Sequence, residues 1–180
     1  MVRQIFALLI LALSVDTTLN AQASPTATRA AFIQVGAGLS VFQPDYNPGS
    51  IKGYSFYGTF DFTSHIGIAG DIHIVNVITP GDIGENSYLL GPRFVMSRGR
   101  FHPYGKALAG IGVFTFQPVY VTSSSSSSSH KMYALGGGLD VSVKRHWNIR
   151  AFDFEYQKWP GFGPNGITPY GITVGSAYVF

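Results

Sequence analysis

The chain ends with Thr173-Val174-Gly175-Ser176-Ala177-Tyr178-Val179-Phe180, and its side chains alternate toward the final phenylalanine. Successive residues of a strand point to opposite faces, so this pattern predicts a β-strand with one apolar, aromatic-rich face. A water-soluble domain rarely ends in this way. Together with the start of the chain and its alternating body, the ending predicts a strand that closes a barrel in a membrane.

The first residues have the layout of a cleaved secretory signal. Val2-Arg3-Gln4 is a short basic start, residues 5–13 form an uninterrupted apolar run, and Ala21-Gln22-Ala23 is a small-x-small cleavage site. We expect residues 1–23 to be removed and residues 24–180 to form one barrel domain. The apolar run is shorter than the roughly 20 residues that a membrane-spanning helix needs, and no later segment is long enough, so a membrane role requires strands.

Composition limits the classes of protein to which this chain can belong. The sequence has no cysteine, so an exported fold must here be stable without disulfides. The formal net charge is +3, and no basic stripe or basic helix indicates a nucleic-acid partner. No cofactor or metal site is indicated either, because His65, His102 and His146 lie near predicted turns without metal-ligand spacing.

Eight segments alternate apolar and polar side chains. They span about residues 31–42, 53–62, 66–78, 86–97, 103–117, 132–143 and 148–158, followed by the terminal strand. Long connections follow the first, third, fifth and seventh segments, whereas tight turns follow the second, fourth and sixth. This asymmetry is typical of an all-β, antiparallel, up-and-down transmembrane barrel in the bacterial outer membrane, with both termini in the periplasm.

Almost all charged side chains of these strands share one parity, opposite the apolar side chains. Eight strands enclose a space that side chains just fill, and a Lys or Arg at the lipid midplane would cost about 2–4 kcal/mol. We therefore predict a filled polar lumen with an ion-pair network centred on Arg93 and Lys106. Its predicted members are Asp61, Asp71, His73, Arg93, Lys106, Asp140, Asp153 and Glu155. Arg150 falls on the outward parity, which a bulge or a position at the periplasmic rim would reconcile.

Two other polar features suggest chemistry. Asp71 and His73 lie two apart on one strand face, an arrangement that orients an imidazole for general-base catalysis with Ser55 or Ser87 as nucleophile. A hydrogen-bonded pair in the lumen is the simpler interpretation. The serine run at 123–129, followed by His130, suggests either a binding patch or a solvated loop, and low-complexity serine favours the solvated loop.

Aromatic and basic residues also cluster near strand ends. We expect Phe101, Trp147, Trp159 and Tyr170 in the aromatic girdles at the two membrane interfaces. The tight turns carry Arg98, Arg100, Lys144 and Arg145, and the sequence leaves open whether these meet lipid phosphates or are simply solvated.

Several segments resemble the family of small outer-membrane barrels that includes the OmpA transmembrane domain and OmpX. The similar segments are Leu90-Gly91-Pro92-Arg93-Phe94, residues 102–107, residues 136–141, residues 149–156 and the terminal pattern of Thr173, Gly175, Tyr178 and Phe180. The resemblance implies Sec export, periplasmic chaperoning and insertion as a monomer. It also implies that the terminal pattern is the signal read by the barrel-assembly machinery, and that outer-membrane lipid and lipopolysaccharide surround the folded chain.

The sequence therefore leads us to expect a non-enzymatic outer-membrane barrel with a filled lumen, in an envelope or surface-interaction role. The alternatives are a narrow channel for small solutes, a lipid A-modifying barrel enzyme and a soluble ligand-carrying barrel.

Overall fold

The structure is a computed structural model that describes residues 32–45, 48–75, 83–116 and 126–180. The predicted signal peptide, residues 1–23, lies outside the described residues. In the part of the chain that is described, no helix is long and apolar enough to cross a membrane.

Eight strands make up a single sheet. They are β1 Phe32–Gln43, β2 Ile51–Asp61, β3 Ile66–Val75, β4 Ile83–Val95, β5 Phe101–Phe116, β6 Ser126–Lys144, β7 Trp147–Lys158 and β8 Tyr170–Val179. Each strand pairs antiparallel with the next, and β1 pairs with β8, so that the sheet closes. The prediction of an eight-stranded antiparallel up-and-down barrel is confirmed.

The end of the sequence completes the closure. The β1–β8 pairing runs from Gln34 opposite Val179 to Gln43 opposite Tyr170. Beyond the last strand, the Phe180 backbone N–H donates to the Ile33 carbonyl oxygen over 3.0 Å. Because the first and last strands pair along this length, the sheet exposes no free edge there, which a sheet in hydrocarbon requires.

The two ends of the barrel differ in their connections. Short turns at 62–65, 96–100 and 145–146 join β2 to β3, β4 to β5 and β6 to β7 at what we call the tight-turn end. Both Phe32, where β1 begins, and Val179, where β8 ends, lie at this end. The longer connections lie at the opposite, long-loop end, as the sequence predicts.

The β5–β6 hairpin is longer than predicted. Ser126–Ser129 are the first residues of β6 and pair with Val113–Phe116 of β5, whereas we expected β6 to begin near residue 132. The prediction of a solvated loop was therefore wrong for this part of the serine run, and residues 123–125 lie outside the described residues. Composition cannot predict this pairing, because β5 supplies the ladder of backbone hydrogen bonds whatever side chains its partner carries.

Apolar side chains cover the outside of the barrel, and ionised ones fill the inside. Leu90 and Leu135 on the outer wall are 63% and 65% exposed, while Arg93 and Glu155 are only 3% and 2% exposed. A soluble barrel with an apolar core would show the reverse. The arrangement is the one that a surrounding hydrocarbon phase imposes.

A bulge in β7 brings Arg150 into the lumen. Leu139 and Asp140 of β6 are consecutive, but they pair with Phe152 and Arg150, so that Ala151 has no partner in the ladder. The pairing of β7 with β8 slips at the same place. The outward parity that strict alternation gave Arg150 was wrong, because one extra residue in a strand reverses the alternation beyond it.

Candidate functional site: the charged lumen

The structure places all eight predicted network residues in the lumen, and none of them is more than 7% exposed. They come from β2 to β7, so the network crosses the barrel rather than following one strand. Two cationic centres organise it. One is Lys106, and the other is the pair of guanidinium groups of Arg93 and Arg150.

Lys106 is bound by three carboxylates. Its Nζ atom lies 2.5 Å from Asp71 Oδ2, 2.7 Å from Asp153 Oδ2 and 3.0 Å from Glu155 Oε2. The ammonium group donates hydrogen bonds to Asp71 and Asp153, and its contact with Glu155 is an ion pair. Opposite the side chain, Gly136 leaves the space, because a Cβ atom there would stand 2.9 Å from Lys106 Cε.

Asp140 holds the two arginines together. Its Oδ2 atom accepts from an Arg93 Nη atom over 2.8 Å, and its Oδ1 atom accepts from Arg150 Nε over 3.0 Å. Arg150 also donates to Asp153 Oδ2 over 3.0 Å, which links this centre to that of Lys106. Arg93 approaches Asp61 less closely, at 3.6 Å.

Two tyrosines complete this centre, and sequence reasoning gave them no role. The Arg150 guanidinium lies 3.6 Å from the ring centroid of Tyr57 and 5.0 Å from that of Tyr104, while Arg93 lies 4.3 Å from Tyr104. A cation over an aromatic face is stabilised by the ring quadrupole, and more so when it is desolvated. The sequence does contain a signal for them, because both tyrosines have inward parity and pair with glycines on an adjacent strand. Gly36 leaves the space for Tyr57, since a Cβ atom there would lie 2.4 Å from the ring.

Neutral polar side chains continue the network toward the tight-turn end. Gln34 donates to Asp140 over 3.1 Å, and Asn148 donates to Gln34 over 2.7 Å. Ser142 joins Asn148 to His102, with contacts of 2.8 and 2.9 Å. Beside this chain lies a cavity of about 150 Å³, which is lined mostly by polar side chains.

Negative charge exceeds positive charge in the lumen. Glu85, which sequence reasoning did not include, is also buried. The described part of the lumen therefore holds six side-chain carboxylates but only three permanent cations, Arg93, Lys106 and Arg150. Its carboxylates are those of Asp61, Asp71, Glu85, Asp140, Asp153 and Glu155.

His73 is held in a way that does not match the predicted catalytic arrangement. Its Nε2 atom lies 3.5 Å from Glu155 Oε1, and its Nδ1 atom lies 3.4 Å from Ser40 Oγ. Asp71 binds Lys106 instead, so the acid facing the imidazole is Glu155. The hydroxyl that contacts the ring belongs to Ser40, in place of the predicted Ser55 or Ser87, and Ser40 also bonds Thr173 over 2.8 Å.

Asp71, His73 and Glu155 are also the one group of potential metal ligands in the described residues, with donor atoms within 4.8 Å of one another. Lys106 binds two of these three side chains. Its ammonium group therefore already compensates the charge of these two carboxylates.

Part of the lumen is apolar and extends to the long-loop end, beside the buried polar residues Glu85, Ser87 and Gln157. A buried cluster lines β3 to β6 and is covered by the connection between β7 and β8. Its members are Ala69, Leu89, Leu108, Phe114, Met132, Ala134, Trp159 and Ile167, with Phe162 packed against them. Trp159 is fully buried and contacts Gly112, where a Cβ would lie 2.1 Å from the indole.

This cluster corrects the prediction for Trp159, which is not part of an aromatic girdle. The sequence placed it at a strand end, but the chain after β7 folds inward and takes the indole with it. Its Nε1 atom donates to Gln157 Oε1 over 3.0 Å, which satisfies the only polar atom of the ring. Phe101, Trp147 and Tyr170 do lie on the outer surface near the ends of their strands.

The four residues of the terminal pattern divide between the two faces of β8. Thr173 is buried in the lumen, and Gly175 shares its parity. Tyr178 and Phe180 lie outside, with their ring centroids 5.0 Å apart. Tyr178 also stacks on His146 of the β6–β7 turn at 5.6 Å. The use of this pattern as an assembly signal stays a prediction.

A closed eight-stranded sheet with an ionised interior and an apolar exterior defines a transmembrane β-barrel. Solved structures of that class are similar to this chain over most of its length. Neisserial surface protein A is 13% identical, with a TM-score of 0.58 over 83% of this chain and 96% of that one. The outer membrane protein OprG of Pseudomonas aeruginosa is 17% identical, with a TM-score of 0.56 over 84% and 96%. Ail, the attachment invasion locus protein of Yersinia pestis, is 21% identical, with a TM-score of 0.54 over 83% and 97%.

No protein-family model matches the sequence, and no curated protein matches it significantly. At these identities the likeness establishes the fold. The chain has the fold of the small outer-membrane barrels, and the family resemblance read from the sequence is confirmed at that level.

Proposed function

We propose that this chain is a non-enzymatic outer-membrane barrel with a closed lumen, which stabilises the envelope and presents its long-loop end at the cell surface. The observation that carries the proposal is the segregation of charge. Large apolar side chains face outward from every strand, and all the described strand carboxylates, together with Arg93, Lys106 and Arg150, are buried within the barrel. In this orientation the tight turns and both termini face the periplasm.

Two independent obstructions favour a closed lumen over a solute channel. In the middle of the barrel, Arg150 is stacked on Tyr57 and bonded to two carboxylates. At the long-loop end, Trp159 and Phe114 are buried in the apolar cluster. A solute would have to displace both an ion-pair network and a packed aromatic core, so we expect no steady conductance.

The long-loop end favours a role at the surface. The β5–β6 hairpin has the longest strands of the described residues. It is braced where the ring centroid of Phe162 lies 4.6 Å from that of Phe114 and 5.3 Å from that of His130. Ail, one of the similar structures, has been solved with the heparin analogue sucrose octasulfate. We infer that the β5–β6 hairpin of this chain is available to surface partners.

We further propose that the barrel is a monomer, surrounded by outer-membrane lipid and lipopolysaccharide and delivered by the barrel-assembly machinery. A closed sheet leaves no strand edge to pair with a second copy, which supports the monomer. The aromatic Tyr178 and Phe180 at the end of β8 are exposed where an assembly factor has access to them.

Cell fractionation combined with gel mobility tests the proposal. We expect the protein in the outer-membrane fraction, and we expect it to migrate differently before and after boiling, because a closed barrel resists unfolding by detergent. Recovery in the soluble periplasmic fraction would contradict the proposal. Planar-bilayer recordings then test the closed lumen, and a steady current through the wild-type protein would favour the channel instead.

The enzyme alternative has weaker support. His73 is 2% exposed, and its partners Ser40 and Glu155 are equally buried in the lumen, where no lipid chain reaches. Mass spectrometry of lipid A from cells with and without the protein should show no difference. A difference that disappears in His73→Ala would contradict our proposal.

A further inference from the structure

The outer surface of the barrel is strongly basic, although the net charge of the chain is small. Among the described residues, every side-chain carboxylate except that of Asp45 is buried in the lumen. Seven of the ten described Lys and Arg residues lie outside. They are Lys52, Arg98, Arg100, Lys131, Lys144, Arg145 and Lys158.

Four of these cations lie together at the tight-turn end. Arg98 and Arg100 belong to the β4–β5 turn, and Lys144 and Arg145 belong to the end of β6 and the β6–β7 turn. We call these four residues the basic turn patch. The two turns are neighbours, because the Ser142 backbone N–H donates to the Arg100 carbonyl oxygen over 2.8 Å.

The patch has no anionic partner in the described chain. None of its four side chains forms an ion pair there, and the single exposed side-chain carboxylate of the described residues, on Asp45, is at the opposite end, where it accepts bonds from Thr168. Four like charges held in adjacent turns repel one another unless an external anion compensates them.

Two aromatic residues indicate how deep the basic turn patch lies in the membrane. Phe101 directly follows Arg100, and Trp147 lies two residues after Arg145; both rings are about half exposed, on the outer wall. Such rings mark the boundary between hydrocarbon and headgroups. The cations just beyond them therefore lie at the level of lipid phosphates.

We propose that the basic turn patch binds the phosphate headgroup of an anionic phospholipid in the leaflet at the tight-turn end. The proposal rests on the membrane location given under Proposed function. A lipid fits better than a soluble acidic partner, because the patch is continuous with the apolar belt and one molecule would satisfy both surfaces. Guanidinium groups also match the geometry of phosphate oxygens.

Brominated lipids provide the test, because the two tryptophans report on different environments. Trp147 faces the bilayer beside the patch, whereas Trp159 is buried in the lumen and emits as a constant background. The full protein is inserted into vesicles in which either phosphatidylglycerol or phosphatidylcholine carries bromine, and quenching gives the relative affinity for the two lipids. We expect wild type to prefer phosphatidylglycerol about tenfold, and the preference should fall at high salt.

A variant with Arg98→Gln, Arg100→Gln, Lys144→Gln and Arg145→Gln should lose the preference. The matched control changes the outward lysines of the long-loop end, with Lys52→Gln, Lys131→Gln and Lys158→Gln, and should keep it. Equal quenching by both lipids in wild type, or an unchanged preference in the four-residue variant, would overturn the headgroup site and leave the patch to a soluble partner. Absence of quenching by either lipid would instead contradict the membrane location itself.

Discussion

The lumen of this barrel contains two regions that are filled on different principles. In the ionic network, each cation is fixed by directed contacts, as Lys106 is by three carboxylates. In the apolar cluster, Trp159 and its neighbours are fixed by shape and volume. The first region fails when one partner is removed and a charge stays buried, whereas the second fails in proportion to the volume lost.

The largest effect is expected when Lys106 is replaced by methionine, which keeps most of the volume and removes the charge. Asp71, Asp153 and Glu155 would then share a buried site without their common cation. Breaking a buried pair costs about 3–5 kcal/mol, and because Lys106 has three partners, we expect Lys106→Met to cost about 5 kcal/mol. Urea unfolding in lipid vesicles, followed by gel mobility, measures the free energy of unfolding.

Lys131→Met is the control for this change, because Lys131 lies on the outside of β6. It should leave the stability unchanged. Lys106→Arg should recover part of the loss by restoring the charge. Equal stability of Lys106→Met and Lys131→Met would show that the network does not hold the barrel together.

The apolar cluster is tested by the two tryptophans of the chain. Trp159→Ala removes a fully buried indole, and such truncations cost about 3–5 kcal/mol, so we expect about 4 kcal/mol. The same variant should raise conductance in planar bilayers, because it opens the apolar closure at the long-loop end. Trp147→Ala, on the outer wall, should change the free energy of unfolding far less. A larger loss in Trp147→Ala would contradict the distinction between the two sites.

Arg93→Ala should destabilise the barrel somewhat less than Lys106→Met does. Arg93 has one close carboxylate, Asp140 at 2.8 Å, and a more distant one, Asp61 at 3.6 Å. Asp140 also keeps Arg150 as a partner, so we expect a loss of about 3 kcal/mol. Arg98→Ala, in the exposed β4–β5 turn, is the control, and thermal unfolding in detergent measures both variants. Equal decreases in the unfolding temperature would contradict the network.

The alternation of side chains along the strands allowed most of the fold and of the lumen network to be predicted from the sequence. Each residue of the predicted network, from Asp61 to Glu155, lies on a strand whose period of two is readable, and the cost of a charge in lipid fixes which face turns inward. The closure of the barrel follows from the terminal strand by the same reasoning. Periodicity therefore predicts both the architecture and the wall on which each charge lies.

The rest depends on interactions that no local pattern encodes. Trp159 and Ile167 enter the lumen from a connection, where alternation has no meaning, and their burial depends on the space left by Gly112 on a distant strand. The role of Glu155 as the acid facing His73 depends on the stagger between β3 and β7. Tyr57 could be placed inside, but its contact with Arg150 required the bulge to be known.

The bulge at Ala151 gives the smallest expected effect. Both neighbours of β7 show one surplus residue at this position, so deleting Ala151 makes the pairing continuous on the β6 side and on the β8 side. Phe152 stays outside, and Arg150, now directly preceding it, stays inside by ordinary alternation. We therefore expect the deletion to cost less than about 1 kcal/mol, mainly through the change in local twist.

Deletion of Ala107 is the control, because β5 pairs regularly with β6 there and contains no extra residue. This deletion must turn half of the strand inside out, so it should abolish the heat-modifiable form. If the Ala151 deletion is as damaging as the Ala107 deletion, Arg150 does not enter the lumen through this bulge.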